Sequence, residues 1–138
     1  MGAKTHRELR FWQLAHELRG RIYAITERGD VARNGNFCTS ARKTIAQVCR
    51  RIAEGFGRYG HAQFAQYVDI ALGSLRETED HLDEALAAKY VSEAEYAELC
   101  ELAEHARACG LKLLGHLSPD HRSQTKGSRS HAISRRHS

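Results

Sequence analysis

Lys43, Arg50, Arg51 and Arg58, with Arg42 beside them, crowd a stretch in which Glu54 is the only carboxylate three or four residues from any of them. A solvated helix ordinarily sets an acid at that spacing from each base, although such an exposed pair is worth only about 0.3–0.5 kcal/mol. Arg42 and Lys43 have no acid at either spacing. Upstream, Glu17 can meet Arg21, while Arg7, Arg10 and Arg19 have none in reach. Cations displayed without local acids can gather phosphates, the chemistry of RNA and DNA backbones. The same residues could instead meet carboxylates elsewhere in the fold or in another copy, or simply be solvated.

Other chemistry is thinner. Glu77 and His81 stand four apart, as do Glu101 and His105. Bundle di-metal sites use Glu-x-x-His at a spacing of three, pointed into the core. The apolar line beside Glu77 and His81 is Leu75, Thr78 and Leu82, so the pair is expected to face outward and no metal site is expected. Ser74, in Leu72-Gly73-Ser74-Leu75, lacks the G-x-S-x-G elbow, and no phosphate-cradling glycine motif occurs. Gly73 is better read as a place where a neighbouring helix approaches closely, since a mid-helix glycine costs about 1 kcal/mol and needs a packing return. Cys38, Cys49, Cys100 and Cys109 form no C-x-x-C pair and are expected to be reduced thiols in or near the core. Neither catalysis nor a cofactor is indicated.

The elements that must position these residues are helices. The composition is 41% hydrophobic and 28% charged with a single proline, which favours amphipathic helices over sheet. Phe11, Ala15, Leu18, Ile22 and Ile25 make one helical stripe within 8–27; Ala41, Ile45, Val48, Ile52 and Phe56 make a second, ending at the glycines Gly55, Gly57 and Gly60. Phe64, Val68, Ala71, Leu75, Thr78, Leu82 and Ala85 alternate strictly by four and three, with Thr78 alone polar. A turn at Lys89-Tyr90-Val91 leads to a capping box at Ser92 and Glu95, and a fourth stripe follows from Tyr96 to Leu117. Four stripes with short links predict an all-α, antiparallel four-helix bundle over 1–117. Residues 118–138, rich in Ser, Arg and His, predict a disordered basic tail.

Charge divides along the chain. Residues 1–60 carry 12 Lys and Arg against 5 Asp and Glu; residues 61–117 carry 4 against 11; residues 118–138 carry 5 against 1. No apolar run reaches the roughly 20 residues of a membrane span, the N-terminus has no apolar signal core, and His6 stands where a myristoylation start needs Ser or Thr, so a cytoplasmic protein is expected.

Three blocks of sequence resemble a known family. Phe11-Trp12-Gln13-Leu14-Ala15-His16-Glu17-Leu18 with Ile22-Tyr23, then Ile52-Ala53-Glu54-Gly55-Phe56-Gly57-Arg58, then Phe64 with Tyr67 through Glu79 are similar, in order and spacing, to the four-helix proteins encoded in 23S rRNA intervening sequences. The resemblance implies a four-helix bundle assembled as a homopentamer without enzymatic activity. It also implies kinship with the accessory variability determinant of diversity-generating retroelements, which binds reverse transcriptase and nucleic acid. The chain departs from the family where helix 2 usually reads Pro-x-Asn-Ile-Ala-Glu-Gly: here Cys49-Arg50-Arg51-Ile52-Ala53-Glu54-Gly55 has no proline and has Arg51 for the asparagine.

The sequence thus predicts a non-catalytic, homo-oligomeric protein that binds RNA or DNA with little sequence preference through Arg10, Arg21, Arg42, Lys43, Arg50, Arg51 and Arg58, with a reverse transcriptase as a further candidate partner. Trp12 and Tyr67 are the expected subunit-interface anchors, since large aromatics dominate such contacts. The alternative is a protein-binding scaffold whose charge asymmetry drives self-assembly alone.

Overall fold

The computed structural model describes residues 2–58 and 60–118, the side chain of Arg58 excepted. The expected tail, apart from Ser118, lies outside the described residues. Among those residues there is no strand. A 3-10 turn at His6–Glu8 leads into α1 (Arg10–Thr26); a single turn, α2 (Gly29–Ala32), precedes α3 (Gly35–Arg58), followed by α4 (His61–Ala87) and α5 (Glu93–Leu117). The fold is all-α, as the four stripes require.

Each long helix packs on two neighbours, α1 against α3 and α5, and α4 against α3 and α5, which closes a ring of four around one core. Consecutive members run antiparallel. Phe11 of α1 lies at Gly110 of α5, and one end further on Arg21 reaches Glu98. Most members of the stripes read from the sequence are buried, Phe11, Leu18, Ile45, Ile52, Val68, Leu75 and Leu99 being essentially inaccessible, while Phe56, Tyr96 and Leu113 are only partly covered and Leu114 is buried beside Leu113. Full burial of such a side chain contributes about 1.5–3 kcal/mol. Thr78, the polar member of the α4 stripe, is completely buried and donates its hydroxyl to the Ser74 carbonyl at 3.0 Å, so no polar group is orphaned there.

Helix α3 ends at Arg58, within the Gly55, Gly57 and Gly60 cluster as expected, but Gly55 and Gly57 lie inside the helix. Gly55 is buried inside the helix because α4 crosses there: a β-carbon would stand 2.6 Å from the Tyr67 Cβ and 2.9 Å from Phe64. Gly110 does the same for Phe11 and Leu72, at 2.9 and 2.8 Å. Gly73, expected to admit a neighbouring helix, admits none within the chain, for nothing lies within 4 Å of where its β-carbon would be. It sits on the outer side of α4.

The turn after α4 uses an unusual residue. Lys89 has φ 64°, in the left-handed region where a side chain costs about 1–2 kcal/mol. The Tyr90 N–H bonds the Ala85 carbonyl at 2.9 Å and the Lys89 N–H the Leu86 carbonyl at 3.0 Å, a Schellman closure that normally has glycine at this place. The capping box at α5 is half formed. Ser92 Oγ accepts from the Glu95 N–H at 3.1 Å, but the Glu95 carboxylate is taken by Arg28 instead of returning to Ser92.

Two substitutions test these assignments by thermal and urea unfolding. Lys89→Gly is expected to raise stability by about 1 kcal/mol, because the αL penalty disappears. Gly55→Ala is expected to lower it by about 1–3 kcal/mol through overpacking against Tyr67. Equal, negligible effects would contradict both local readings.

Candidate functional site

The seven cations named from sequence do not form one surface. Two lie toward α5. Arg21 does not pair with Glu17, as its own helix suggested, but reaches Glu98 at 3.4 Å. Arg10 bonds Gln13 at 3.4 Å and borders a groove between the start of α1 and the end of α5, walled by Leu9, Phe11, Cys109 and Leu113. Arg51 faces the α4 side of its helix and takes Glu54 at 3.5 Å. Arg58's side chain lies outside the described residues.

The remaining three gather along α1 and α3. Lys43 and Arg50, seven residues apart and therefore on one outward row of α3, are exposed and have no ion pair or hydrogen bond among the described residues. Arg42 leans the other way, into the seam with α1. Its guanidinium lies 3.9 Å over the Tyr23 ring and donates to Thr26 Oγ1 at 3.0 Å. That cation–π contact adds about 0.5–1 kcal/mol while leaving the positive charge unneutralised.

Sequence reasoning missed the company these residues keep. Trp12, His16, Arg19 and Tyr23 follow one row of α1 at steps of four, three and four, and that row faces α3. The Trp12 and His16 rings stack at 4.7 Å with 9° between planes, and His6 meets Trp12 edge-on at 5.1 Å. Arg19 Nη2 approaches His16 Nδ1 at 2.8 Å. A guanidinium only donates, so Nδ1 accepts and the imidazole proton sits on Nε2. Arg19 also lies near enough to the buried Cys49 thiol to oppose the rise, to about 11, that burial imposes on it. The signal was present in the sequence as a four-three-four row of rings and a base off the apolar stripe.

Trp12 and Tyr67, the two expected interface anchors, are both half-buried and lie on different seams of α3: Trp12 with the α1 row, Tyr67 on the α4 side against Gly55. His81, expected to face outward with Glu77, is instead wedged between α3 and α4. Its Nε2 lies 3.3 Å from Thr44 Oγ1, its Nδ1 3.5 Å from Glu84, and Phe37 packs edge-on to its ring. Among the described residues no group of three His, Cys, Asp or Glu is placed to hold a metal ion. All four cysteines are free, Cys49 buried and the others half-buried.

Acids collect on the opposite seam. Glu79 binds Arg107, and the Tyr96 hydroxyl donates to Asp83 at 2.5 Å. Burial pushes the Glu79 carboxyl up and Arg107 counteracts it. Besides the Arg21–Glu98 pair, the loop side of this acidic half reaches the basic half: Arg28 makes a two-armed contact with Glu95, at 2.9 and 2.5 Å, and bonds the Tyr90 carbonyl at 3.0 Å. That hydrogen bond holds the Glu95 carboxyl below its ordinary range.

These features define an all-helical four-helix protein with a basic, ring-bearing face on α1 and α3 and an acidic face on α4 and α5. The chain belongs to the 23S rRNA-intervening sequence protein family, which it matches over residues 7–109. The match does not extend to the accessory proteins of diversity-generating retroelements, so that part of the resemblance is not borne out. No curated protein matches the chain. Among the described residues no helix is long and apolar enough to cross a membrane.

The Arg28–Glu95 pair gives a pH test. A depressed carboxyl contributes stability above the ordinary carboxylate range and loses it as pH falls through the lowered value. Glu95→Gln is therefore expected to unfold about 0.5 kcal/mol more easily than wild type at neutral pH, the modest figure suiting a half-exposed pair. The difference should vanish in strong acid. Urea midpoints at the two extremes measure it, and a constant difference would contradict the assignment.

Proposed function

We propose that this chain is a non-catalytic, self-assembling accessory protein that binds RNA or DNA, with little sequence preference, through the face formed by α1 and α3. One observation carries the reading: Lys43 and Arg50 project from α3 with no partner among the described residues, beside Arg19 and Arg42, whose bonding partners are a neutral imidazole, a hydroxyl and a ring face. Four positive charges on one face with no carboxylate bound to any of them attract a polyanion and release its counterions. The proposed face leaves out Arg21 and Arg51, which already hold carboxylates. No base-edge-reading helix or finger is evident, so positioning by phosphate contacts is the expected mode.

Self-assembly has its own support on a different surface. Ile70 is 51% exposed, the one large apolar side chain so displayed among the described residues, and the open Gly73 lies one turn further along the same outer side of α4. A contact there would leave the α1–α3 face free. The rival reading, a scaffold in which the basic face of one copy meets the acidic face of the next, consumes that face instead.

Binding to a labelled polynucleotide across a salt series decides between them. Neutralising about four phosphates gives a slope of log K against log salt near −3 to −4. Lys43→Glu/Arg50→Glu is expected to weaken binding at least about tenfold at low salt while leaving the sedimentation coefficient unchanged. Loss of the oligomer in that variant supports the scaffold, and a flat salt response removes the nucleic-acid reading.

A further inference from the structure

The outward row of α1 contains a gap. Gly20, in mid-helix, is exposed, and nothing lies within 4 Å of where its β-carbon would be, so packing gives no return for its cost to the helix. A side chain at position 20 would lean back one turn, over His16. The Trp12–His16 stack approaches from the N-terminal side, so the His16 face turned away from Trp12 looks into the space that Gly20 leaves empty. The Arg19 contact is with Nδ1, at the edge of the ring. Beyond the gap stands Tyr23, one turn past Arg19, with Arg42 across it. Gly73 is equally open but borders no stack of rings.

We infer that the α1–α3 face is a single-strand platform, in which an unpaired base of RNA or DNA continues the Trp12–His16 stack into the space over Gly20 while Arg19, Lys43 and Arg50 take the flanking phosphates. The inference rests on the nucleic-acid reading above and adds the form of the ligand. Single-strand binders combine a cationic track with rings on which bases stack, because every base has a π-face and stacking tolerates sequence. A duplex keeps its bases inside and would use the cations alone. From Trp12 to Tyr23 the helix rises about 16 Å, room for roughly five steps of a strand at about 3.4 Å each. Charge favours this occupant over an apolar segment or a second copy, since no carboxylate is bound to these cations among the described residues.

Trp12 is the only tryptophan, so its emission reports on the platform directly. The test titrates a twelve-nucleotide single strand, and a duplex of equal length, into wild type, Trp12→Ala, Trp12→Phe and Gly20→Gln at low salt. The single strand is expected to quench Trp12 and the duplex to leave it bright. Trp12→Ala should lose about tenfold in single-strand affinity, with Trp12→Phe retaining most of it. Gly20→Gln guards against loss of fold as the explanation. It adds a better helix former at an exposed position, so its melting temperature should equal or exceed wild type, yet single-strand affinity should fall at least fivefold with duplex affinity unchanged. If both forms bind but neither variant discriminates and Trp12 is not quenched, the platform is wrong and the broader reading stands. If neither form binds at low salt, both fall, and concentration-dependent self-association that Gly20→Gln abolishes would assign the face to a second copy.

Discussion

The order of the helices around the core decides which charges can cancel. Because α1 touches α3 and α5 while α4 touches the same two, α3 and α5 stand on a diagonal of the ring. A carboxylate on α5 can therefore reach α1 but not the outer row of α3. The α1 flank that meets α5 is neutralised, Arg21 by Glu98, and the loop below it by Arg28 with Glu95. The α4 helix does adjoin α3, but two of its acids are engaged elsewhere: Glu79 with Arg107 and Asp83 with Tyr96. What is left uncompensated is the pair of adjoining faces that have no acidic helix beside them. The basic face is thus a product of topology acting on a chain already divided by charge.

Much of this was legible beforehand because it depends on periodicity. The α4 stripe from Phe64 to Ala85 reads as buried at every member, including the polar Thr78, whose hydroxyl satisfies itself on the preceding turn. What was not legible depends on azimuth and distance. Arg21 and Lys43 are alike in avoiding the apolar line, yet one flanks α5 and the other points to solvent. The glycines make the same point. Gly55 and Gly73 look interchangeable in a sequence, and only the crossing of α4 over α3 makes the first indispensable and leaves the second open. The capping box failed by competition: Glu95 had a guanidinium within reach, and a charge-assisted bond outweighs one to a neutral N–H.

Local costs are spread unevenly over the fold. Lys89 and Gly73 are placed where another residue would be more stable, and neither borders the basic face. Gly20 is different because the open position adjoins a ring stack. A helix whose buried side is fully packed can tolerate about 1 kcal/mol at one exposed position, given that the core contributes many times that amount. Tolerance alone does not explain the choice. The Trp12–His16 stack is worth about 0.5–1.5 kcal/mol to the folded chain, and its exposed end is a surface that water covers poorly.

Net charge is a poor guide to this molecule. Residues 1–117 balance, 16 Lys and Arg against 16 Asp and Glu, which taken alone argues against attraction for a polyanion. The balance is averaged over a body wider than the range of the field. Neighbouring helix axes lie about 8–10 Å apart, and the Debye length at physiological salt is about 8 Å, so acids on the far seam are screened from a ligand seated on α1 and α3. A phosphate arriving there meets Arg19, Arg42, Lys43 and Arg50 at close range and the carboxylates of α4 and α5 through a full screening length or more. The same screening limits the rival arrangement, in which basic and acidic faces of separate copies meet: salt weakens that attraction too. Apolar exposure lies at Ile70, on the outer side of α4. In the reading proposed above, assembly and polyanion binding draw on different surfaces, so neither would exclude the other.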